Sequence, residues 1–192
     1  MSYTTTKYAD HGFDLIIKGL VEVYDPHTVV ELGTQQGNSA IIIGKALRQG
    51  VLYTYDSFET NYALPPYAAT GADYHKAVGN IQDAGLHEKV FVIKKDAFEV
   101  YKDWPEVDIL HVDIGNHYDN MAKILEQWRY KVAKVILLEG GGYNHWQKKC
   151  DFKPFNLLLT RHFITDNYDH VIISHDENYA LTILTRKYDK LI

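Results

Sequence analysis

The chain is predicted to adopt an α/β fold, with helices on both faces of a seven-stranded, mostly parallel sheet that ends in an antiparallel hairpin. Three observations predict it. Short apolar, strand-like runs alternate with helix-like segments along most of the chain, the pattern of a parallel sheet covered on both sides. The run Thr28-Val29-Val30-Glu31-Leu32 leads into the turn Gly33-Thr34-Gln35-Gln36-Gly37, and a second short strand ends on an acid, Asp56. Toward the C-terminus, two strand-like runs are separated only by His175-Asp176-Glu177-Asn178, a link so short that it demands an antiparallel return.

Each element follows from its own signals. Phe13, Ile16, Ile17, Leu20 and Val21 recur at helical spacing and predict a helix over 12–24. Asp25-Pro26 stops it, since the residue before proline is pushed out of helical geometry. A strand over 28–32 follows, then a helix over 39–48 with Gly50 as its stop signal, and a strand over 51–55. The next helix spans 74–84 and ends on Gly85, followed by a strand over 90–94. A fourth strand over 108–112, a helix over 118–130 and a fifth strand over 134–138 complete the parallel set. Strands over 170–174 and 179–185 form the hairpin. Residues 57–72, with Tyr62, Leu64, Pro65, Pro66, Tyr67 and Gly71, carry neither period and read as a long functional loop.

At 192 residues the chain is expected to form a single domain over 1–192, large enough to bury a core without staples. With 20 Lys+Arg against 25 Asp+Glu the net charge is −5, which argues against nucleic acid, whose binders carry a basic stripe. No apolar run approaches the roughly 20 residues of a membrane span, and the N-terminus lacks a secretory pattern. The single cysteine, Cys150, fits a reducing compartment. A cytoplasmic protein with a small-molecule partner is therefore expected, with no membrane and no nucleic acid, and a homo-oligomer is compatible.

The glycine turn carries the chemistry. Its spacing is G-x-x-x-G, not the G-x-G-x-x-G that cradles a dinucleotide pyrophosphate. A ligand without a pyrophosphate needs no third close glycine, which favours S-adenosylmethionine (SAM). Gly33 removes a Cβ where the ligand approaches, and Gly37 is expected to let the helix begin close to the sheet. Asp56 lies 19 residues beyond Gly37, near the separation of about 20 expected for a ribose-binding acid. Glu31 is placed to face the ligand's ammonium, directly or through water. Gln35 and Ser39 in the turn, and Ser57 after Asp56, complete the expected cofactor contacts on this side. No Walker phosphate loop is present, because Gly44-Lys45 is followed by alanine, and no H-E-x-x-H or C-x-x-C zinc pattern occurs.

Further motifs carry a family resemblance. Asn80-Ile81-Gln82-Asp83-Ala84-Gly85-Leu86, then Lys89-Val90 and Lys95-Asp96-Ala97, resembles the helix-strand passage of small-molecule O-methyltransferases. These are class I SAM-dependent enzymes of the catechol and caffeoyl-CoA type and the related sugar and macrolide methyltransferases, with a Rossmann-like fold. The resemblance implies that Asp96 and Ala97 lie beside the adenine. His111-Val112-Asp113-Ile114-Gly115-Asn116-His117-Tyr118 is similar to the family's fourth-strand motif, and Leu137-Leu138-Glu139-Gly140-Gly141 stands where its fifth strand ends. It implies a cofactor contact at Asp113 and a Mg²⁺-type divalent cation held by Asp113 and Glu139. Two departures oppose the metal. Gly140, at the third ligand position, offers no side chain, and Gly115 stands where sugar-directed relatives often have an acid.

The resemblance implies methyl transfer to a hydroxyl of a small molecule such as a sugar or a phenol. Glu31, Asp56, Asp96, Asp113 and Glu139 all fall at predicted strand ends, where open α/β sheets bind ligands. Asp113, His117 and His145 are the candidates for the base that removes the acceptor's proton. Tyr143 and Trp146 are candidates for an aromatic wall around the acceptor. A SAM-binding subunit without catalysis, a SAM-cleaving enzyme and a nicotinamide-dependent oxidoreductase are the competing functions.

Overall fold

The computed structural model describes residues 13–59, 72–114, 118–140, 162–174 and 180–187. The predicted sheet is present: seven strands in the order β3-β2-β1-β4-β5-β7-β6. The fold divides into two compact units, residues 1–100 and 101–192.

In the first unit, α1 (Phe13–Tyr24) buries Phe13, Ile17 and Val21, one stripe at i, i+4 and i+8. Strand β1 (Thr28–Leu32) is buried from Val29 onward. It is followed by α2 (Asn38–Ala46), β2 (Val51–Asp56), α3 (Tyr74–Asp83), β3 (Val90–Lys94) and the single turn α4 (Ala97–Val100). β1 pairs in parallel with β2, setting Glu31 opposite Thr54 and Leu32 opposite Tyr55. β2 in turn pairs in parallel with β3, setting Asp56 opposite Lys94. Asp73 caps α3, its side chain accepting from the Lys76 amide at 3.1 Å.

Two expectations need correction here. Helix α2 ends at Ala46, and Leu47 is already extended, so Gly50 is not its stop. Gly50 lies at a crossing of two chain segments, where an added Cβ would stand 2.0 Å from the Pro26 carbonyl oxygen. At Gly37, the atoms a Cβ would meet first are Ile81 Cδ1 at 3.5 Å and the Ala77 oxygen at 3.6 Å. The helix start therefore packs on α3, and what demands glycine is the left-handed φ of 83°.

The second unit contains β4 (Val107–Val112), α5 (Tyr118–Trp128), β5 (Val132–Glu139), α6 (His162–Asn167), β6 (Tyr168–Ser174) and β7 (Ala180–Arg186). β4 and β5 are parallel. β7 runs antiparallel to both β5 and β6, which is the expected hairpin. α5 buries Met121, Ile124, Leu125 and Trp128 and stops two residues short of the predicted end. Tyr168 donates to the Arg129 carbonyl at 3.0 Å, and burial pushes its phenol above the ordinary range against the opposing pull of Arg186. The short helices α4 and α6 carry too few residues to show a period and were not predicted. Among the described residues, no helix is long and apolar enough to cross a membrane.

Candidate active site

The glycine turn is held from several directions. Gly33, Gln35 and Gly37 all have positive φ, at 102°, 51° and 83°. The Gly33 amide donates to the Tyr55 carbonyl at 2.8 Å, and the Gly37 amide closes the turn on the Thr34 carbonyl at 2.7 Å. Asp56, the last residue of β2, receives the Thr34 and Gln35 amides on Oδ2 at 3.1 and 2.9 Å. Its Oδ1 receives the Phe58 amide at 2.8 Å. From the other side, Asn80 of α3 donates to the Gln36 carbonyl at 2.9 Å, and the Asp73 amide reaches the Gln35 carbonyl at 3.4 Å. A carboxylate offers about four acceptor sites, so three amides leave room on Oδ1 for a ribose hydroxyl.

Beneath the turn lies a buried hydroxyl pair. Thr54 Oγ1 donates to Glu31 Oε2 at 2.5 Å and lies 2.6 Å from Thr34 Oγ1. Glu31 and Thr54 are 0% exposed and Thr34 2%. Glu31 therefore sits where expected along the chain but presents no surface, so any influence it has on a ligand is indirect. Ser39 is buried in the first turn of α2, and Gln35 is exposed. Ser57 accepts from the Glu59 amide at 3.3 Å and so shapes the bend after β2.

At the end of β3, exposed Asp96 caps α4: its Oδ1 accepts the Phe98 amide at 2.9 Å and its carbonyl the Glu99 amide. Ala97 opens that helix. A separate groove of about 420 Å³ runs between α3 and the outer strands, lined by Tyr53, Tyr74, Ile81, His87 and Phe91. None of the predicted site residues lines it.

In the second unit, Asp113 follows β4 directly and is half-buried, and Glu139 is the last residue of β5. His111, which sequence reasoning left without a role, is fully buried with Nε2 3.7 Å from Glu139 Oε1. A histidine between Leu110 and Val112 near the end of an apolar strand is the signal that could have singled it out. His117, His145, Gly115, Tyr143, Trp146, Cys150, the link 175–178 and residues 60–71 of the long loop lie outside the described residues.

Gly140 donates its amide to the Ala180 carbonyl and accepts from Thr182 Oγ1, both at 2.7 Å, so its backbone is committed to β7. Among the described residues, no group of three or more His, Cys, Asp or Glu side chains could hold an ion. Asp113 and Glu139 alone supply fewer oxygen ligands than a hard divalent cation takes, and Gly140 adds no side chain.

The chain belongs to a methyltransferase family: the family's methyltransferase domain matches residues 30–138. No curated protein sequence matches it. Among solved structures it is similar to an O-methyltransferase from Bacillus cereus in complex with SAH (S-adenosylhomocysteine), with a TM-score of 0.69 and 15% identity, covering 97% of this chain and 84% of that one. It is also similar to the O-methyltransferase TomG from Streptomyces achromogenes, involved in tomaymycin synthesis and solved with SAM, with a TM-score of 0.65, 15% identity and coverage of 92% and 80%. A methyltransferase from Geobacter sulfurreducens gives a TM-score of 0.64 at 18% identity, with coverage of 91% and 78%. At these identities the likeness is one of fold.

Proposed function

We propose that this chain is a SAM-dependent methyltransferase that moves a methyl group to a hydroxyl of a small-molecule acceptor. The observation that carries this is the turn between β1 and α2, held open by the Asp56 carboxylate in a chain of the methyltransferase family. Two of the similar structures are O-methyltransferases solved with SAH or SAM, which supports both the cofactor and the oxygen acceptor. When bound, the sulfonium supplies an activated methyl: a C–O bond forms to the acceptor as the C–S bond breaks, and its electron pair stays on the neutral thioether.

The chain's own residues then bind, orient and take a proton. Asp56 Oδ1 accepts from the ribose, the bare Gly33 backbone leaves room beside it, and Asp96 and Ala97 flank the base. Glu31 lies buried beneath the turn and holds the Thr54 hydroxyl. Holding the acceptor in line accounts for much of the rate gain expected of such a site. The acceptor's proton passes to one of Asp113, His117 or His145.

Incubation with methyl-labelled SAM and a panel of phenols, sugars and amines, with and without EDTA, tests the assignment. Label on a hydroxyl is expected, and the EDTA arm decides whether a divalent cation at Asp113 and Glu139 takes part. Label confined to amines would reassign the acceptor. Label found only in homoserine or methylthioadenosine products would replace transfer with cleavage.

A further inference from the structure

We propose that Thr54 is a positioning residue for the amino-acid end of the ligand, acting through Glu31, an inference that rests on the SAM assignment above. Thr54 faces Glu31 directly in the parallel register of β1 and β2. Its hydroxyl donates to Glu31 Oε2 at 2.5 Å and lies 2.6 Å from Thr34 Oγ1. A threonine hydroxyl has one proton to give. Since Thr54 gives its proton to Glu31, Thr34 must be the donor in the second bond. The hydrogen bonds therefore run one way, from the ligand turn through β2 to the buried carboxyl group.

This relay fixes two things together. The carboxyl group is held in one orientation by a short bond at a site with 0% exposure, where electrostatic interactions are stronger than in water. The Thr34 side chain is pinned at the same residue whose amide donates to Asp56, so the turn is anchored to β2 by both backbone and side chain.

The strand order says which part of the ligand feels it. In the first unit the order runs β3-β2-β1. Asp96 follows β3 and Asp56 ends β2. A nucleoside laid across these ends with its base at Asp96 and its ribose at Asp56 sends its 5′ substituent toward β1. That substituent carries the ammonium of SAM and SAH, and it meets the turn that Glu31, Thr54 and Thr34 hold.

Calorimetry with SAH and 5′-methylthioadenosine, which keeps the nucleoside and thioether but lacks the amino-acid portion, tests this. Thr54→Val keeps the side chain's shape and removes the hydroxyl. It should weaken SAH about tenfold, the scale of a lost hydrogen bond to a charged group, and methylthioadenosine by less than about twofold. Thr54→Ser, which restores the hydroxyl, should return SAH affinity to within about threefold of the unmodified chain. Equal losses for the two ligands, or no loss, would overturn the proposal, since a merely structural threonine would not distinguish them. An unmodified chain that binds neither ligand overturns the SAM assignment itself, and this inference with it. Should Thr54→Val not fold, Thr34→Val removes only the far donor and should show the same selectivity at about threefold.

Discussion

The two units finish their strands in different ways. At the ends of β1 and β2, polar groups meet at hydrogen-bond distance: three backbone amides on Asp56, and two threonine hydroxyls leading to Glu31. At the ends of β4 and β5, His111 and Glu139 stand 3.7 Å apart, longer than a hydrogen bond, and Gly140 turns its backbone toward β7. The first arrangement joins backbone amides to side chains that the parallel register sets side by side. The second is a contact between side chains.

The largest expected effect breaks the first arrangement. Asp56→Ala removes the acceptor of three amides and the proposed ribose partner together. SAH affinity measured by calorimetry should fall at least about a hundredfold, two of the steps worth about 1.4 kcal/mol each. Affinity within about threefold of the unmodified chain would mean that the turn is not the ligand site.

How much of this was legible in the sequence follows the same division. The strands, their parallel direction and the hairpin were readable because buried strands appear as short β-branched and apolar runs. Gly33, Gly37 and Asp56 were readable because positive φ and a strand-end acid leave a mark at fixed spacing. The second role of Asp56, as acceptor for the turn's own amides, was not readable. It depends on Leu32 facing Tyr55 across β1 and β2, a register fixed only by folding. Thr54 did leave a trace that went unread: with Leu52 and Asp56 it occupies one face of β2, while Tyr53 and Tyr55 point the other way. Gly50 misled because a glycine after a helix usually marks its end, whereas here the nearby Pro26 carbonyl excludes any side chain. His111 left a trace as the one polar residue between Leu110 and Val112, but its partner Glu139 lies on the neighbouring strand, and that pairing is made only on folding.

A smaller effect tests the second arrangement. Glu139→Gln keeps the shape of the side chain beside the buried imidazole and replaces one carboxyl oxygen by an amide nitrogen. Label transfer should fall about tenfold while SAH affinity stays within about twofold, since an interaction made only in the transition state lowers kcat without touching ground-state binding. A parallel loss in both measurements would place Glu139 with the cofactor and erase the contrast between the two sets of strand ends.

The smallest effect distinguishes positions within the first unit. Asp96 is exposed and caps a helix of four residues, so Asp96→Ala should cost about 0.5–1 kcal/mol in thermal unfolding, the low end of the range for lost N-caps. If the base lies beside Asp96, SAH and methylthioadenosine should weaken together, by about threefold, because both carry the same adenine. Loss confined to SAH would put the amino-acid end of the ligand at β3 and reverse its direction across the strand ends. The three substitutions in this unit then have different signatures: Asp56→Ala weakens both ligands strongly, Asp96→Ala weakens both slightly, and Thr54→Val separates them. That ordering follows from one ligand lying across β3, β2 and β1 in turn, and three variants with the same profile would show that the acids do not serve separate parts of it.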